Sequence, residues 1–250
     1  MKLVVDLNAD LGEGAASERE LLGLVSSGSI ACGFHAGDPN SMTASILAAR
    51  EAGVAVGAHP SLADRANFGR TELAVTPNDV FALVAYQVGA FQALAHSLGV
   101  QPNHVKPHGA LYNMAARDPA LAEAVAHAIL SVDRSLLLFA PGGSALVQAG
   151  AALELRVVRE VFADRNYQPD GALVPRSQPD AILRDPARAS ARVLRILREK
   201  VVRAIDGSDI PVVADTICLH GDNAEAVEFA RKLRQELAEN GIKLAAPDRK

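Results

Sequence analysis

The sequence predicts an α/β fold: a (β/α) barrel of seven strands that takes residues 1–250 as one domain. Two observations predict it. Short β-rich runs alternate with longer helical patterns, and that alternation implies a parallel sheet. Chemically loaded residues then follow the strands. Asp6, Asn8, Asp10, His35, His59, Lys106, His108, Glu160, Asp164, His220 and Asp222 lie at or just past strand ends, and six of the seven strands contribute. In a closed barrel those ends converge on one mouth. In an open sheet only the strands at the switch point would meet a ligand. Contribution from so many strands favours closure.

The strands are expected at residues 3–8, 29–34, 54–58, 104–108, 136–140, 155–161 and 211–219. Helical spacing marks 17–26, 40–52, 78–98, 119–130, 144–151, 186–205 and 224–240. Thr76-Pro77 and Asp118-Pro119 each place a capping side chain before a proline at the first helical position. Gly53, Gly99 and Gly241 are natural helix stops. Pro107 cannot donate to a ladder, so the fourth strand should end there. Pro169, Pro175 and Pro179 mark 166–185 as a long connection after Asp164-Arg165, and it reads as a lid. The tail 245–250 is expected to fray.

Composition narrows the function. Hydrophobic residues make up 49% and charged residues 22%, as in an ordinary globular chain. With 25 Lys and Arg against 29 Asp and Glu, no basic excess exists to neutralise phosphates. No Trp is present and aromatics are 4%, so base-stacking platforms are not expected either. Two Cys exclude a disulfide scaffold and fit a reducing compartment, so the cytoplasm is the expected location. The 21 residues from Val80 to Val100 carry no Asp, Glu, Lys or Arg, which is long enough to span a bilayer. Their large apolar residues recur at helical spacing among Gln87, Gln92, His96 and Ser97. We read a buried helix and a candidate homo-oligomer contact, not a membrane segment.

The motifs lie at the strand ends. Asp6 and Asn8 share one face of the first strand with Val4, and Asp10 follows in the next loop. A carboxylate there suits a general base, a metal ligand or a loop cap. Gly33 and Gly37 bracket His35, and His59-Pro60 ends the third strand. Lys106 and His108 should project at the mouth. Histidine titrates near neutrality, so four of them at four strand ends suit proton transfer. An Asp with two or three His also makes a plausible open zinc site, although no His-Glu-x-x-His helix and no close Cys pair is present. Cys32 and His35 have opposite strand parity, which disfavours a shared structural zinc. Arg65, Arg70, Arg165 and Arg176 offer bidentate forks for a carboxylate or phosphate. Pro141-Gly142-Gly143-Ser144 opens a helix that could hold an anion, but no Gly-Lys-Ser/Thr follows, so it is not a Walker loop.

Seven segments then carry a resemblance. They are Asp6-Leu7-Asn8-Ala9-Asp10-Leu11-Gly12-Glu13, Ile30-Ala31-Cys32-Gly33-Phe34-His35-Ala36-Gly37-Asp38, Gly57-Ala58-His59-Pro60-Ser61, Phe68-Gly69-Arg70, Val105-Lys106-Pro107-His108-Gly109-Ala110-Leu111-Tyr112-Asn113, Glu160-Val161-Phe162-Ala163-Asp164-Arg165 and Cys218-Leu219-His220-Gly221-Asp222. In this order, over about residues 2 to 246, they resemble the LamB/YcsF family. In many members an Arg follows Phe-Gly-Arg, where this chain has Thr71. The resemblance implies a barrel like those of glycoside hydrolases and deacetylases. It implies ATP-dependent opening of 5-oxoproline to glutamate, with ATP and Mg²⁺ as co-substrate and with 5-oxoprolinase subunits B and C as partners.

On that footing the expected roles are as follows. Asp6 or His59 is the general base, and Lys106 and His108 stabilise negative charge on oxygen. Arg70 or Arg165 holds the substrate carboxylate. Asn8, Asp10, His35, Glu160, Asp164, His220 and Asp222 complete the substrate site. Two other readings stand beside it: a substrate-binding subunit whose partner does the chemistry, and a metal-dependent amide or N-acetyl hydrolase.

Overall fold

The computed structural model describes residues 3–219 and 226–249. The first strand, β1 (Val4–Leu11), sets the pattern for the rest. Val5, Leu7, Ala9 and Leu11 join the main apolar core, which lies between the strands and the surrounding helices. Asp6, Asn8 and Asp10 alternate with them and face the other way. Around β1 stand β2 (Ser27–Ala31), β3 (Ala55–His59), β4 (His104–Val105), β5 (Leu137–Pro141) and β6 (Val157–Phe162). Next come a short antiparallel hairpin, β7 (Val201–Arg203) with β8 (Asp209–Pro211), and then β9 (Thr216–Leu219). Seven of these strands pair in parallel in the order β1-β2-β3-β4-β5-β6-β9, and β9 pairs back onto β1. The expected barrel is therefore closed. A last strand, β10 (Lys243–Leu244), adds to the start of β1 outside the ring.

The helices are α1 (Glu18–Leu22), α2 (Pro39–Ala52), α3 (Pro77–Ser97), α4 (Gly109–Arg117), α5 (Pro119–Val132), α6 (Ala145–Ala152), α7 (Pro186–Glu199) and α8 (Ala226–Glu239). Their starts are chemically specified. Asp38 with Ser41, and Thr76 with Asp79, form reciprocal capping boxes, each with proline at the first helical position. Asp118 and Asp185 cap α5 and α7. Ser144 caps α6 through its own hydroxyl, so the Gly142-Gly143 turn already has a protein partner for its helix terminus.

Helix α3 has the length and composition of a membrane span. Here it is an outer barrel helix: Val80, Val84, Val88, Phe91 and Ala95 are buried, and Tyr86 on the opposite side is 66% exposed. Full burial of a side chain such as Phe91 contributes about 2–3 kcal/mol.

Several expectations need correction. The helix expected over 186–205 stops at Glu199, because Lys200 turns left-handed (φ 58°) and leads into the β7–β8 hairpin. The strand expected from 211 begins only at Thr216. Helix α4 was not foreseen; it starts directly after Pro107-His108. The tail does not fray over its described part. The Ala245 amide donates to Val5 O, Asn103 Nδ2 donates to Pro247 O, and Arg249 reaches Asp133 and the Pro102 carbonyl. Segment 166–185, read above as a lid, is a folded connection. Tyr167 bridges to Leu173 and to Ala204, Arg165 bridges to Ile182, and Val174 and Ala181 are buried.

Candidate functional site

Side chains from non-adjacent strands meet inside the ring, and most of them are polar. Asn8 Nδ2 donates to Thr216 Oγ1 at 2.7 Å and to Glu160 Oε1 at 3.0 Å. Lys106, just past β4, reaches across to β1. Its Nζ lies 2.8 Å from Asn8 Oδ1, 2.5 Å from Asp10 Oδ1 and 3.3 Å from Glu160 Oε1. Tyr112 on α4 donates to Glu160 Oε2 at 2.7 Å. All these side chains are buried. Burial opposes the charge on Lys106, but Asp10, with Cys218 and Glu160, outweighs it and holds the ammonium pKa well above the lysine range. Burial and then Glu160 push the Tyr112 hydroxyl up likewise.

Towards the mouth lies a second group. His59 ends β3, His108 stands at the residue before α4, and His35 follows β2 on the turn bounded by Gly33 and Gly37. Glu13 joins them from the loop after β1, between Gly12 (φ 70°) and Gly14 (φ 83°). Glu13 Oε1 lies 3.0 Å from His35 Nε2, 3.5 Å from His108 Nδ1 and 3.9 Å from His59 Nε2. One donor atom from each of the four falls within 4.8 Å of all the others. The His35 and His108 rings stack with centroids 3.8 Å apart and planes 3° from parallel. Burial takes the His35 pKa down to about 4. Burial, then the neighbouring imidazoles, puts His108 well below its usual range. Both rings are therefore neutral near pH 7.

Phe68 closes one side, edge-on to His35 and His108 at 5.5 and 5.4 Å, and the Arg70 guanidinium lies over its other aspect at 4.8 Å. Arg165 is buried; its Nη2 donates to Val174 O at 2.6 Å and its Nε to Ala181 O at 3.3 Å. Burial and then Arg176 lower its pKa to about 10. Asp164 beside it is buried too.

The structure thus gathers Asn8, Asp10, His35, His59, Lys106, His108 and Glu160 at one end of the barrel, with Arg70, Asp164 and Arg165 on chain segments around it. His220 and Asp222 lie outside the described residues. Asp6 stands apart. Its carboxylate accepts from Ser26, Ser27 and Thr216 hydroxyls at 2.6–2.7 Å. Asp10, not Asp6, is the β1 carboxylate in contact with Lys106 and with His59. Glu13 was missed as a site residue, although an acid between two glycines just past a strand is a readable signal. Tyr112 gave less warning, because α4 itself was not foreseen.

The LamB/YcsF family model matches residues 5–250. A curated relative, the A-type subunit of 5-oxoprolinase from Geobacillus kaustophilus (strain HTA426), is 50% identical over 249 residues, 98% of this chain and 97% of that one. Among solved structures, the crystal structure of the lactam utilization protein from Thermus thermophilus matches with TM-score 0.91 at 42% identity, over 98% of this chain and all of that one. A family 4 carbohydrate esterase from Streptomyces lividans, in complex with acetate, shares the fold at TM-score 0.53 and 14% identity, over 98% and 93% of the two chains.

Proposed function

Because the chain belongs to the LamB/YcsF family, we propose that it is the A-type subunit of a cytoplasmic, ATP-dependent 5-oxoprolinase, and that the lactam ring is opened at its barrel mouth. The observation that carries this is the meeting, at one mouth, of Lys106 between two carboxylates with a group of three histidines and a glutamate. That pairing sets a fixed cation beside side chains able to take a proton from an attacking water.

The substrate is a five-membered lactam with one carboxylate. Amide resonance makes its carbonyl a poor electrophile, and phosphoryl transfer from ATP to the lactam oxygen would correct that. That transfer releases ADP; water then adds to the same carbon and the C–N bond breaks, leaving an acyl phosphate that a second water hydrolyses to the free carboxylate and phosphate. The ring nitrogen becomes the amine of glutamate, and the water oxygen enters the new carboxylate. In this scheme Lys106 stabilises negative charge developing on oxygen, with Asn8, Asp10 and Glu160 fixing its position. The histidine–glutamate group readies the water. Arg70, laid over Phe68 beside the histidines, receives the substrate carboxylate or a phosphate in this reading. ATP, with Mg²⁺, enters as co-substrate of an assembly with B and C subunits.

The test is glutamate release from 5-oxoproline, with and without ATP, in extracts of a strain lacking this chain and of the same strain complemented. ATP-dependent release that returns only with the chain is expected. Equal release from both strains would overturn the proposal.

A further inference from the structure

We infer that Glu13, His35, His59 and His108 form a binding site for a divalent transition metal, with zinc the ion their donors fit. Backbone carbonyls fix where two of the ring protons must be. His59 Nδ1 lies 2.6 Å from the carbonyl oxygen of Lys106, and His108 Nε2 lies 2.9 Å from that of Phe68. A carbonyl only accepts, so each of those nitrogens carries its ring's proton. In neutral rings the opposite nitrogens, His59 Nε2 and His108 Nδ1, bear the lone pairs, and they lie 2.9 Å apart. Glu13 Oε1 aims at the same point. Lone pairs and a carboxylate gathered out of water repel one another unless positive charge sits among them.

Distances agree with an ion of zinc's size. Ligand atoms about 2.1 Å from zinc at tetrahedral angles stand roughly 3.4 Å from one another. The separations within the group include 2.9, 3.0, 3.5 and 3.9 Å, which bracket that value. The far nitrogens of His59 and His108 already rest on backbone carbonyls, which is how metal-bound imidazoles are commonly oriented. His35 Nδ1 is buried with no hydrogen-bond partner among the described residues, so stacking on His108 and the Glu13 contact hold this ring. Three imidazoles with one carboxylate suit zinc better than calcium or magnesium, which prefer oxygen. Neither cysteine belongs to the set: Cys32 Sγ donates to Ile30 O, and Cys218 Sγ faces Lys106. The site itself rests on this geometry. Its chemical use rests on the function proposed above, where a Lewis acid at this point would supply a nucleophilic water at neutral pH.

The test is metal binding by the purified full-length chain after chelator treatment. Zinc is followed by calorimetry and cobalt by its visible ligand-field bands. One equivalent per chain is expected. Glu13→Gln and His35→Ala should each weaken binding by more than about 100-fold, because losing an outer-shell contact alone costs 10–100-fold. His96→Ala, on the exposed side of α3, should leave it unchanged. Circular dichroism checks folding, and Glu13→Gln decides if His35→Ala fails to fold. No saturable binding, or equal binding by wild type and Glu13→Gln, would overturn the site. Glutamate release separates the two ideas. Turnover by a chain that binds no ion removes the site and leaves the function; stoichiometric binding by a chain that restores no turnover does the reverse.

Discussion

Lys106 Nζ lies 2.5 Å from Asp10 Oδ1, and both side chains are buried. Glu160 faces the same ammonium from another strand at 3.3 Å. One cation therefore holds two carboxylates in a space that water does not reach. Removing it should cost about 3–5 kcal/mol, the usual penalty for an uncompensated buried charge. Lys106→Met is expected to lower stability by that amount in urea unfolding and to abolish glutamate release. The double variant Lys106→Met with Glu160→Gln should recover much of the stability and none of the activity. If the single variant unfolds at the wild-type midpoint, the ammonium is not what holds these carboxylates.

Gly69 lies where the two stacked imidazoles leave no room. It has φ 66°, and a Cβ built there would stand 2.8 Å from His35 Cβ and 3.0 Å from His108 Cδ2. Gly69→Ala should therefore displace both rings while the barrel stays folded, at a stability cost of about 1–3 kcal/mol. A misplacement of about 1 Å can cost 10²-fold in rate. We expect an activity loss of that order with an unchanged circular dichroism spectrum. Activity close to wild type would show that the ring positions are not critical.

The sequence made the barrel and most of the mouth legible, for physical reasons that also explain the misses. Strand parity put Asp6 and Asn8 on one face, and β1 runs past the expected loop so that Asp10 joins them. Parity says nothing of depth along the axis. Four residues of strand span roughly 13 Å, so Asp6 and Asp10 share a face without sharing a site. Lys106, His59 and His108 were readable because each stands where a ladder stops at Pro60 or Pro107. Glu13 was overlooked because it belongs to no strand; the left-handed Gly12 and Gly14 bring its carboxylate back over the mouth. Helix α4 and the β7–β8 hairpin are short, and their start and stop signals are tertiary: His108 makes no side-chain cap, and Lys200 is a non-glycine left-handed turn.

His104 should make the fold sensitive to acid. It is fully buried, stacked on Phe139 at 4.0 Å, with Nε2 3.0 Å from Ser29 Oγ. Burial, then Lys106 and His59, hold its pKa well below the usual value of 6.5. Below that value the unfolded chain takes up a proton that the folded chain refuses, so stability falls as pH drops. His35, lowered to about 4 chiefly by burial, acts in the same direction between 6.5 and 4. Urea midpoints measured at pH 7 and pH 5 should show wild type losing stability. His104→Gln, less stable at pH 7, should lose less over the same interval. Identical losses would remove His104 from the account.

Arg70 and Arg165 should separate into different roles. Arg165 is buried and donates to Val174 O and Ala181 O, so it fastens segment 166–185 onto the strand end. Arg70 is on the exposed side, laid over Phe68, whose edge meets His35 and His108. A guanidinium there can receive a carboxylate entering the mouth. Hydrogen bonds to charged groups contribute about 1.5–3 kcal/mol, which corresponds to roughly 10- to 100-fold in binding. Arg70→Gln is therefore expected to raise KM for 5-oxoproline by about that factor and to change kcat much less, the pattern of lost uniform binding. Arg165→Gln should instead expose 166–185 to limited proteolysis and lower kcat and stability together. If Arg70→Gln leaves KM within about twofold, a change worth under 0.5 kcal/mol, the carboxylate is held elsewhere, and Arg165 becomes the residue to test.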